Sequence, residues 1–504
     1  MKGLQYLSII LSCCGLSLSA PTCDYKMIED KYVCLMSDSA SEGKIIGSHN
    51  ETYGDAHVYR VTTTDEANKS LIGKVISLYR NLTIFQIPKG NIEAIIEDDF
   101  VNCTANLVEL QICNGDLNTI PADVFKKCEN LKSIDLTGNK LTIITKESLP
   151  NIINKLILSK NQIKIDMSNI FEVGNNLDAL TYFDLSGNSI ETLIDSVLPS
   201  QRLIHLDLSN NKINELPGAY FDNNKNLEVL NLQDNHIASI SHTIIKELTK
   251  LKELRIGSNN ISTIDAKAFQ DNEIIEYLDM SSNPIETLNA NLLKNLTTLK
   301  ALNLFDIKIT NTSLEDLKTT LESLINLEKL NISKNIIGPI DGLFTKNEKL
   351  SVLGISSMSL TELEKDIFSA LTKLESLNFD DNEIVDLPEN IFEKLTEMKN
   401  FSAKKNKINK LKASTFEKMT NLLELDFTGN EIDAIESTFF DTLNKLKVVR
   451  FSGGNKCFNS DFEDFVLDEA TRVKFYKCFE NYNSARTVVI SNVLLAFVII
   501  FKFI

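Results

Sequence analysis

A repeat of 24 residues is the feature that most limits what this chain can fold into. Each unit has three apolar positions followed by Asn and Ile, and the clearest copies are Leu203-Leu206-Leu208-Asn211-Ile213, Leu227-Leu230-Leu232-Asn235-Ile237, Leu251-Leu254-Ile256-Asn259-Ile261 and Ile275-Leu278-Met280-Asn283-Ile285. A fixed period of this length is typical of stacked units, none of which can bury its apolar face alone. The repeat therefore predicts a solenoid.

Each repeated position has a physical role. The apolar-x-apolar core, such as Leu206-Asp207-Leu208, has the periodicity of a strand, so its apolar side chains point inward and Asp207 points outward. The Asn that follows sits where the chain leaves the strand, and its amide can bond backbone groups that would otherwise be buried unpaired. We call these residues rungs, and they are Asn139, Asn161, Asn188, Asn211, Asn235, Asn259, Asn283, Asn335, Asn382, Asn406 and Asn430. Ile307, Met358 and Gly454 replace the rung in three units. Ile307 and Met358 cannot accept the backbone bonds, so we expect local irregularity in those two coils.

A second apolar column consists of Phe residues that lie six positions before the next repeat. They are Phe125, Phe221, Phe269, Phe368, Phe392, Phe416 and Phe440, and each ring is expected to fill the space behind the strands. With these features the sequence resembles the typical class of extracellular leucine-rich-repeat proteins, which includes Toll-like receptor ectodomains and the insect adhesion proteins chaoptin and connectin. The resemblance implies an α/β solenoid, a leucine-rich-repeat horseshoe with parallel strands on the concave face and a cap at both ends.

The ends of the chain suggest its organisation. Residues 1–19 read as a secretory signal peptide because an apolar run ends in small residues, although a short buried helix would share this pattern. Residues 20–81 are predicted to form the N-terminal cap, residues 82–452 the solenoid and residues 453–483 the C-terminal cap. Residues 484–504 resemble a hydrophobic GPI-type signal with Asn483 as the lipid attachment site; a short membrane helix or an uncleaved tail is the alternative.

Seven cysteines remain beyond the signal peptide. The predicted pairs are Cys23–Cys34 in a small hairpin, Cys103–Cys128 on adjacent coils and Cys457–Cys478 around the C-terminal cap. Between the last two, Phe462, Phe465 and Phe475 favour an amphipathic helix laid over the final coil. Cys113 has no obvious partner and is expected to be buried or inert, with an intermolecular bond as the alternative.

Nine sequons are consistent with a glycosylated protein of the secretory pathway. They lie at Asn50, Asn68, Asn81, Asn102, Asn260, Asn295, Asn311, Asn331 and Asn400. Asn331 and Asn400 lie at strand positions that point outward, so their glycans would cover part of the strand face in the C-terminal half.

Other outward strand positions carry acidic and aromatic residues, which are our candidates for ligand contact. They are Asp135, Tyr182, Asp184, His205, Asp207, Tyr277 and Asp279. Neighbouring strands lie about 4.8 Å apart, so Tyr182, Asp184, His205 and Asp207 should form one patch. The competing interpretation is that small polar residues merely solvate this face.

The formal charge of −17 disfavours nucleic acid and favours basic or mixed-charge partners. We find no zinc-type His pair, phosphate-binding Gly loop or nucleophile elbow, so neither catalysis nor a cofactor is expected. The resemblance instead implies a cell-surface protein that acts in adhesion or recognition by binding a protein ligand. It would lie on the extracellular face of the plasma membrane, held by a C-terminal anchor, or be secreted. A secreted innate-immune recognition factor is the alternative, a membrane-spanning receptor is less favoured, and a dimer is left open.

Overall fold

The computed structural model of the chain falls into two units, residues 1–162 and 163–504. It describes residues 24–28, 31–36, 58–63, 72–73, 76–77, 82–164, 177–193, 198–451 and 465–466, apart from positions 91, 104, 105, 199, 433 and 437. The signal peptide, the tail with Asn483, Cys23, Cys457, Cys478 and the sequons at Asn50, Asn68 and Asn81 lie outside these residues. The predictions that rest on them stay predictions.

The first unit begins with an antiparallel hairpin and continues as a parallel ladder. Its strands are β1 (Asp24–Ile28), β2 (Lys31–Met36), β3 (Val58–Thr63), β4 (Ile84–Ile87), β5 (Glu109–Ile112), β6 (Ser133–Asp135) and β7 (Lys155–Ile157). β1 pairs antiparallel with β2, and every later neighbour pairs in parallel. Two single-turn 3-10 helices follow strands, at Glu97–Asp99 and Lys146–Ser148. The parallel ladder thus already includes β3, inside the segment predicted to be the cap.

The second unit repeats one coil many times. Its strand face consists of β8 (Tyr182–Asp184), β9 (His205–Asp207), β10 (Val229–Asn231), β12 (Glu253–Arg255), β14 (Tyr277–Asp279), β15 (Ala301–Asn303), β16 (Lys329–Asn331), β17 (Val352–Gly354), β18 (Ser376–Asn378), β19 (Asn400–Ser402), β21 (Glu424–Asp426) and β23 (Val448–Arg450). They pair in parallel in that order, without a shift in register. The predicted α/β solenoid of leucine-rich repeats is confirmed.

The return segments of the second unit hold little regular structure. Two small parallel sheets pair β11 (Ser239–Ile240) with β13 (Thr263–Ile264) and β20 (Lys410–Leu411) with β22 (Ala434–Ile435). The helices are α1 (His242–Ile245), a 3-10 turn at Asn311–Ser313, α2 (Leu314–Ser323) and α3 (Ala413–Phe416). The 3-10 turn and α2 lie in the coil that has Ile307 at its rung, where irregularity was expected.

The core is built from two stacks of apolar side chains. The middle residue of each three-residue strand points inward, as Leu206, Leu230 and Leu254 do, and all three are essentially inaccessible. The Phe column packs behind them, and all seven predicted rings are buried. Each coil therefore shares its apolar surface with the coil on either side, which is the reason that no coil is stable alone.

The rungs bond backbone groups of two neighbouring coils. Asn235 Nδ2 donates to the carbonyl oxygens of Leu208 (2.9 Å) and Leu232 (3.0 Å), and its Oδ1 accepts the N–H of Ile213 at 3.0 Å. Asn211, Asn259 and Asn283 make the equivalent contacts. The amide ladder predicted from the sequence is therefore present.

A second buried Asn column was not predicted. Asn224, Asn272 and Asn347 each lie three residues after a buried Phe and donate from Nδ2 to carbonyl oxygens of the preceding coil, at 2.8 to 3.2 Å. A Phe-x-x-Asn spacing was visible in the sequence and could have revealed them. These residues close the backbone on the side opposite to the strands, so they are structural.

The residue before each rung adopts a left-handed conformation. Gly138, Gly187 and Gly429 do so, as do Lys160, Asn210, Asp234, Ser258, Ser282, Lys334, Asp381 and Lys405, with φ between 48 and 76°. Asp306 and Ser357, which precede Ile307 and Met358 at the replaced rungs, adopt the same conformation. A side chain makes this conformation costly, and Gly, Asn and Asp tolerate it best. The turn into each rung is therefore fixed by the fold even where Lys or Ser occupies it.

The structure tests two further predictions, a disulfide between adjacent coils and a helix over the last coil. The bond between Cys103 and Cys128 is present. The amphipathic helix expected around Phe465 is wrong at that position, because Phe465–Val466 forms strand β24 and pairs antiparallel with β23. The last parallel strand leaves a row of unpaired backbone groups at the sheet edge, and pairing with β24 satisfies part of it.

Cys113 is buried, as favoured from the sequence. Burial and the nearby Asp135 carboxylate raise the pKa of its thiol to about 12, and its Sγ lies 3.8 Å from the Asp135 carbonyl oxygen. The reactive form of a cysteine is the thiolate. An intermolecular disulfide through Cys113 would therefore require the coil to open.

Candidate functional site

Five consecutive strands of the second unit carry most of the candidate residues. We call their outward side chains the tyrosine face, which comprises Tyr182, Asp184, His205, Asp207, Val229, Asn231, Glu253, Arg255, Tyr277 and Asp279. Because the strands are short and in register, first and third residues line up in two rows across the sheet. Regular pairing alone thus brings these side chains together.

The predicted patch around His205 is a stacked pair. The rings of Tyr182 and His205 lie 4.2 Å apart between centroids and are inclined by only 9°. Their strand partners, Asp184 and Asp207, are directly opposite each other in the third position. Two flat rings and two carboxyl groups therefore form one half-buried surface.

Tyr277 belongs to a different cluster on the same face. The strands β10 and β12 separate it from His205. The Arg255 guanidinium lies over the Tyr277 ring, 5.1 Å from its centroid, and Arg255 Nε donates to Glu253 Oε1 at 2.5 Å. The sequence reasoning missed Arg255 and Glu253, although they occupy the same two outward positions and could have been found by reading those columns strand by strand.

The aspartates have a structural role that the sequence reasoning did not assign. Asp184, Asp207 and Asp279 each accept, with Oδ1, the backbone N–H two residues later, at 2.8 to 2.9 Å. Such a turn ends the strand and leads the chain towards the rung. The second oxygen of Asp207 accepts Asn231 Nδ2 at 2.9 Å, and Asp279 is buried. Only part of each carboxylate is therefore available to a partner.

Burial shifts the pKa values of His205 and Asp184, two groups of this patch. It lowers the pKa of His205 below its usual range, against the opposing pull of Asp207 and Asp184. It also raises the pKa of Asp184, although hydrogen bonds from Ser186 favour the charged form. His205 is therefore neutral at pH 7, and its ring stacks on Tyr182 as an uncharged imidazole.

Asp135 lies in the first unit and is treated separately. Its Oδ1 accepts the backbone N–H of Thr137 at 3.0 Å and the Thr137 hydroxyl at 2.6 Å, and its Oδ2 accepts Gln111 Nε2 at 3.1 Å. Both oxygens are thus used within the protein. A ligand contact by Asp135 stays a prediction, and this geometry favours a structural role.

The described sequons differ in exposure. Asn102, Asn260, Asn311 and Asn400 are exposed, whereas Asn295 and Asn331 are half-buried. Asn331 and Asn400 lie on the strand face, as their strand register predicted. Glycosylation itself stays a prediction at all of them.

The described residues offer no group of three or more metal-binding side chains. None of their helices is both long enough and apolar enough to cross a membrane. The tyrosine face combines rings, amides and partly used carboxylates on a rigid sheet, and such a surface is suited to binding. The absence of catalysis stays a prediction.

Comparison with known proteins agrees with this architecture. The family described as "Leucine rich repeat" matches residues 105–165, 201–254 and 249–307, and the "BspA type Leucine rich repeat region" matches residues 318–447 and 388–496. Lumican of Oryctolagus cuniculus is 32% identical over 136 residues, which cover 27% of this chain and 68% of that relative. The chain belongs to the leucine-rich-repeat family.

Other relatives match over less of their length. Osteomodulin of Bos taurus is 30% identical over 174 residues, 33% of this chain and 39% of that protein. Toll-like receptor 7 of Mus musculus is 28% identical over 182 residues, 32% of this chain and 17% of that protein. The chain thus spans about two fifths of osteomodulin and a smaller part of the receptor.

Solved structures share the fold. A leucine-rich-repeat protein of Leptospira interrogans superposes with a TM-score of 0.64 at 21% identity, over 74% of this chain and 91% of that one. Toll, in the Drosophila Toll–Spatzle complex, superposes with a TM-score of 0.62 at 21% identity, over 79% of this chain and 54% of the other. At such identity the likeness concerns the fold alone.

Proposed function

We propose that this protein is an extracellular recognition or adhesion protein that binds a protein partner through its tyrosine face. The observation that carries the proposal is the pair of aromatic clusters on one rigid sheet, Tyr182 on His205 and Arg255 on Tyr277. Tyr and Arg are enriched among the residues that contribute most to protein interfaces. In the solved Toll–Spatzle complex a protein of the same fold is bound to Spatzle, which supports a protein ligand.

The charge of the chain indicates the kind of partner. The net charge is −17, and Asp184, Asp207 and Glu253 lie on the tyrosine face. Opposite charge on a partner speeds association and fixes orientation more than it adds affinity. A basic or mixed-charge protein surface therefore fits better than an acidic one or a nucleic acid.

Arg255→Ala should weaken binding at least about tenfold, a loss of about 1.4 kcal/mol, because it removes both the stack on Tyr277 and the bond to Glu253. The measurement is binding of the tagged full chain to intact cells of the producing organism, followed by flow cytometry. The matched control is Arg202→Ala, an exposed arginine outside the strands, which should leave binding unchanged.

The acidic contribution is tested with Asp184→Asn and Asp207→Asn together. Asparagine keeps the turn, because Asn231 already accepts the N–H of Gln233 in the same way at 3.1 Å. Loss of the two charges should slow association and weaken its dependence on salt. If all of these variants bind like the wild type while Ser376→Arg on β18 abolishes binding, the partner occupies another part of the strand face.

How the protein is held at the cell surface is a separate proposal. We favour a lipid anchor added near Asn483, on the sequence of the C-terminal tail. Treatment of intact cells with a phosphatidylinositol-specific phospholipase should release the protein into the medium. Retention on treated cells would indicate a membrane-spanning form, and protein already in the medium before treatment would support the secreted innate-immune factor.

A further inference from the structure

A groove of about 670 Å³ opens on the strand face beyond Tyr277. Strands β15 to β18 form its floor, and small residues keep that floor low, among them Ala301, Gly354 and Ser376. Tyr277 belongs to both the tyrosine face and the groove lining, so the two surfaces adjoin at β14. The two surfaces therefore share one sheet but differ in depth and in chemistry.

The sequon Asn331-Ile332-Ser333 lies on the floor of this groove. Asn331 is half-buried, and its Oδ1 accepts the backbone N–H of Ser333 at 3.1 Å. Nδ2, the atom to which an N-linked glycan is attached, has no hydrogen-bond partner among the described residues. Attachment there leaves the carbonyl oxygen in place, so the turn and the modification are compatible.

Gly354 keeps the space beside Asn331 open. A Cβ atom at position 354 would lie 2.8 Å from Asn331 Oδ1 and 3.2 Å from Ser333 Oγ. The third residue is larger in every other described strand of this face. The absence of a side chain is therefore what allows Asn331 to sit on an open floor.

The groove is lined by aromatic rings and hydrogen-bond donors, two kinds of group that can bind a sugar. Tyr277 and Phe305 line one end. Lys334 Nζ lies over the Phe305 ring, 5.3 Å from its centroid, and is a mobile side chain that a sugar can displace or pack beside. The Oδ1 atoms of Asn303 and Asn378 accept backbone N–H groups at 3.2 and 2.9 Å, so their amide hydrogens remain as donors. Flat apolar surface with a few placed donors is the usual composition of a small-molecule site.

We propose that the N-linked glycan of Asn331 is seated in this groove, with its first sugars packed against Phe305 and hydrogen-bonded by Asn303 and Asn378. The seated glycan covers β15 to β18 and leaves the tyrosine face uncovered, apart from Tyr277 at their shared border. This inference rests on the extracellular placement in the proposed function, because N-linked glycans are added in the secretory pathway.

The test is the rate at which a peptide N-glycosidase releases each glycan from the folded, full-length protein made in secreting animal cells. Site-resolved mass spectrometry measures Asn331 against Asn400, an exposed sequon on the same sheet. Release from Asn331 should be at least about tenfold slower than release from Asn400. This ratio corresponds to about 1.4 kcal/mol of binding free energy between the glycan and the groove. Equal rates, or an unmodified Asn331 beside a modified Asn400, would overturn the proposal.

A double variant distinguishes specific binding of the glycan in the groove from steric hindrance of the glycosidase at Asn331. Phe305→Ala with Asn378→Asp removes the aromatic surface and one donor, while the aspartate keeps the acceptor for the N–H of Asp380 and the hydroxyl of Ser356. Release from Asn331 should then approach the rate of Asn400, which itself stays constant. An unchanged rate of release from Asn331 would mean that steric hindrance alone protects the glycan, and it would overturn the proposed binding in the groove. If no sequon is modified, both the proposed glycan binding and the extracellular placement in the proposed function are wrong.

Discussion

Phe401→Ala should lower the free energy of unfolding of the C-terminal coils by about 3 to 5 kcal/mol, the usual cost of truncating a buried Phe. Phe401 is 1% exposed and is the middle residue of β19. Its ring centroid lies 5.1 to 5.3 Å from those of Phe379, Phe392 and Phe416. Alanine would leave a cavity that several coils share.

Phe401→Leu is the matched control. Leucine occupies the equivalent inward position in both flanking strands, at Leu377 and Leu425. This change removes much less volume than alanine does, so its cavity is smaller and its cost should be less than about half that of Phe401→Ala. Guanidinium unfolding measures the total effect, and hydrogen exchange in β18, β19 and β21 locates it. A loss below about 1 kcal/mol for alanine would mean that the surrounding coils close the cavity and that the Phe cluster contributes little to stability.

The strands and their register could be predicted because each inward position is constrained by packing. The spacing of Leu206, Leu208 and Asn211 fixes the strand, its inward side and the rung at the same time, so a single unit carries the whole pattern. The return segments had no such constraint. They vary between turns, 3-10 helix and α2, because only the Phe column must be met. Strand β24 was missed for a related reason, since pairing at a sheet edge depends on the backbone and leaves no periodic signal.

The candidate site was predictable in position and less so in role. Tyr182 and His205 meet because register alone places them side by side. The aspartates were read as ligand groups, yet Asp207 and Asp279 each hold a turn, which outward polarity does not reveal. Arg255 is not marked by the Asp and Tyr columns, because it is the basic residue at a position where the neighbouring strands carry Asp or Asn. Gly354 is informative only beside Asn331, and that proximity depends on three-dimensional stacking.

Asn235→Leu should destabilise the second unit by about 2 to 5 kcal/mol and open its centre first. The side chain is buried and holds the carbonyl oxygens of Leu208 and Leu232 and the N–H of Ile213. Leucine has no polar atom, so the Ile213 N–H loses its partner at a cost of about 1 to 3 kcal/mol. The two carbonyl oxygens each lose one bond but keep another from a neighbouring rung, which adds about 0.5 to 1.5 kcal/mol per lost bond. Thermal unfolding gives the total loss.

The position of Asn235 in the stack of coils determines how much stability is lost and where the solenoid opens. Because a coil contacts only its neighbours, a defect in the middle divides the stack, whereas Asn430→Leu near the end should cost less through local fraying. The control is Asn226→Leu, a half-buried Asn that donates to the Gln201 carbonyl oxygen at 3.1 Å and accepts from Lys250 Nζ at 2.7 Å, both at the surface; it should cost about 1 kcal/mol or less. Hydrogen exchange should show opening on both sides of β10 for Asn235→Leu alone. Equal, small shifts for the variants at 235 and 430 would mean that the rungs fill space and do not hold the coils together.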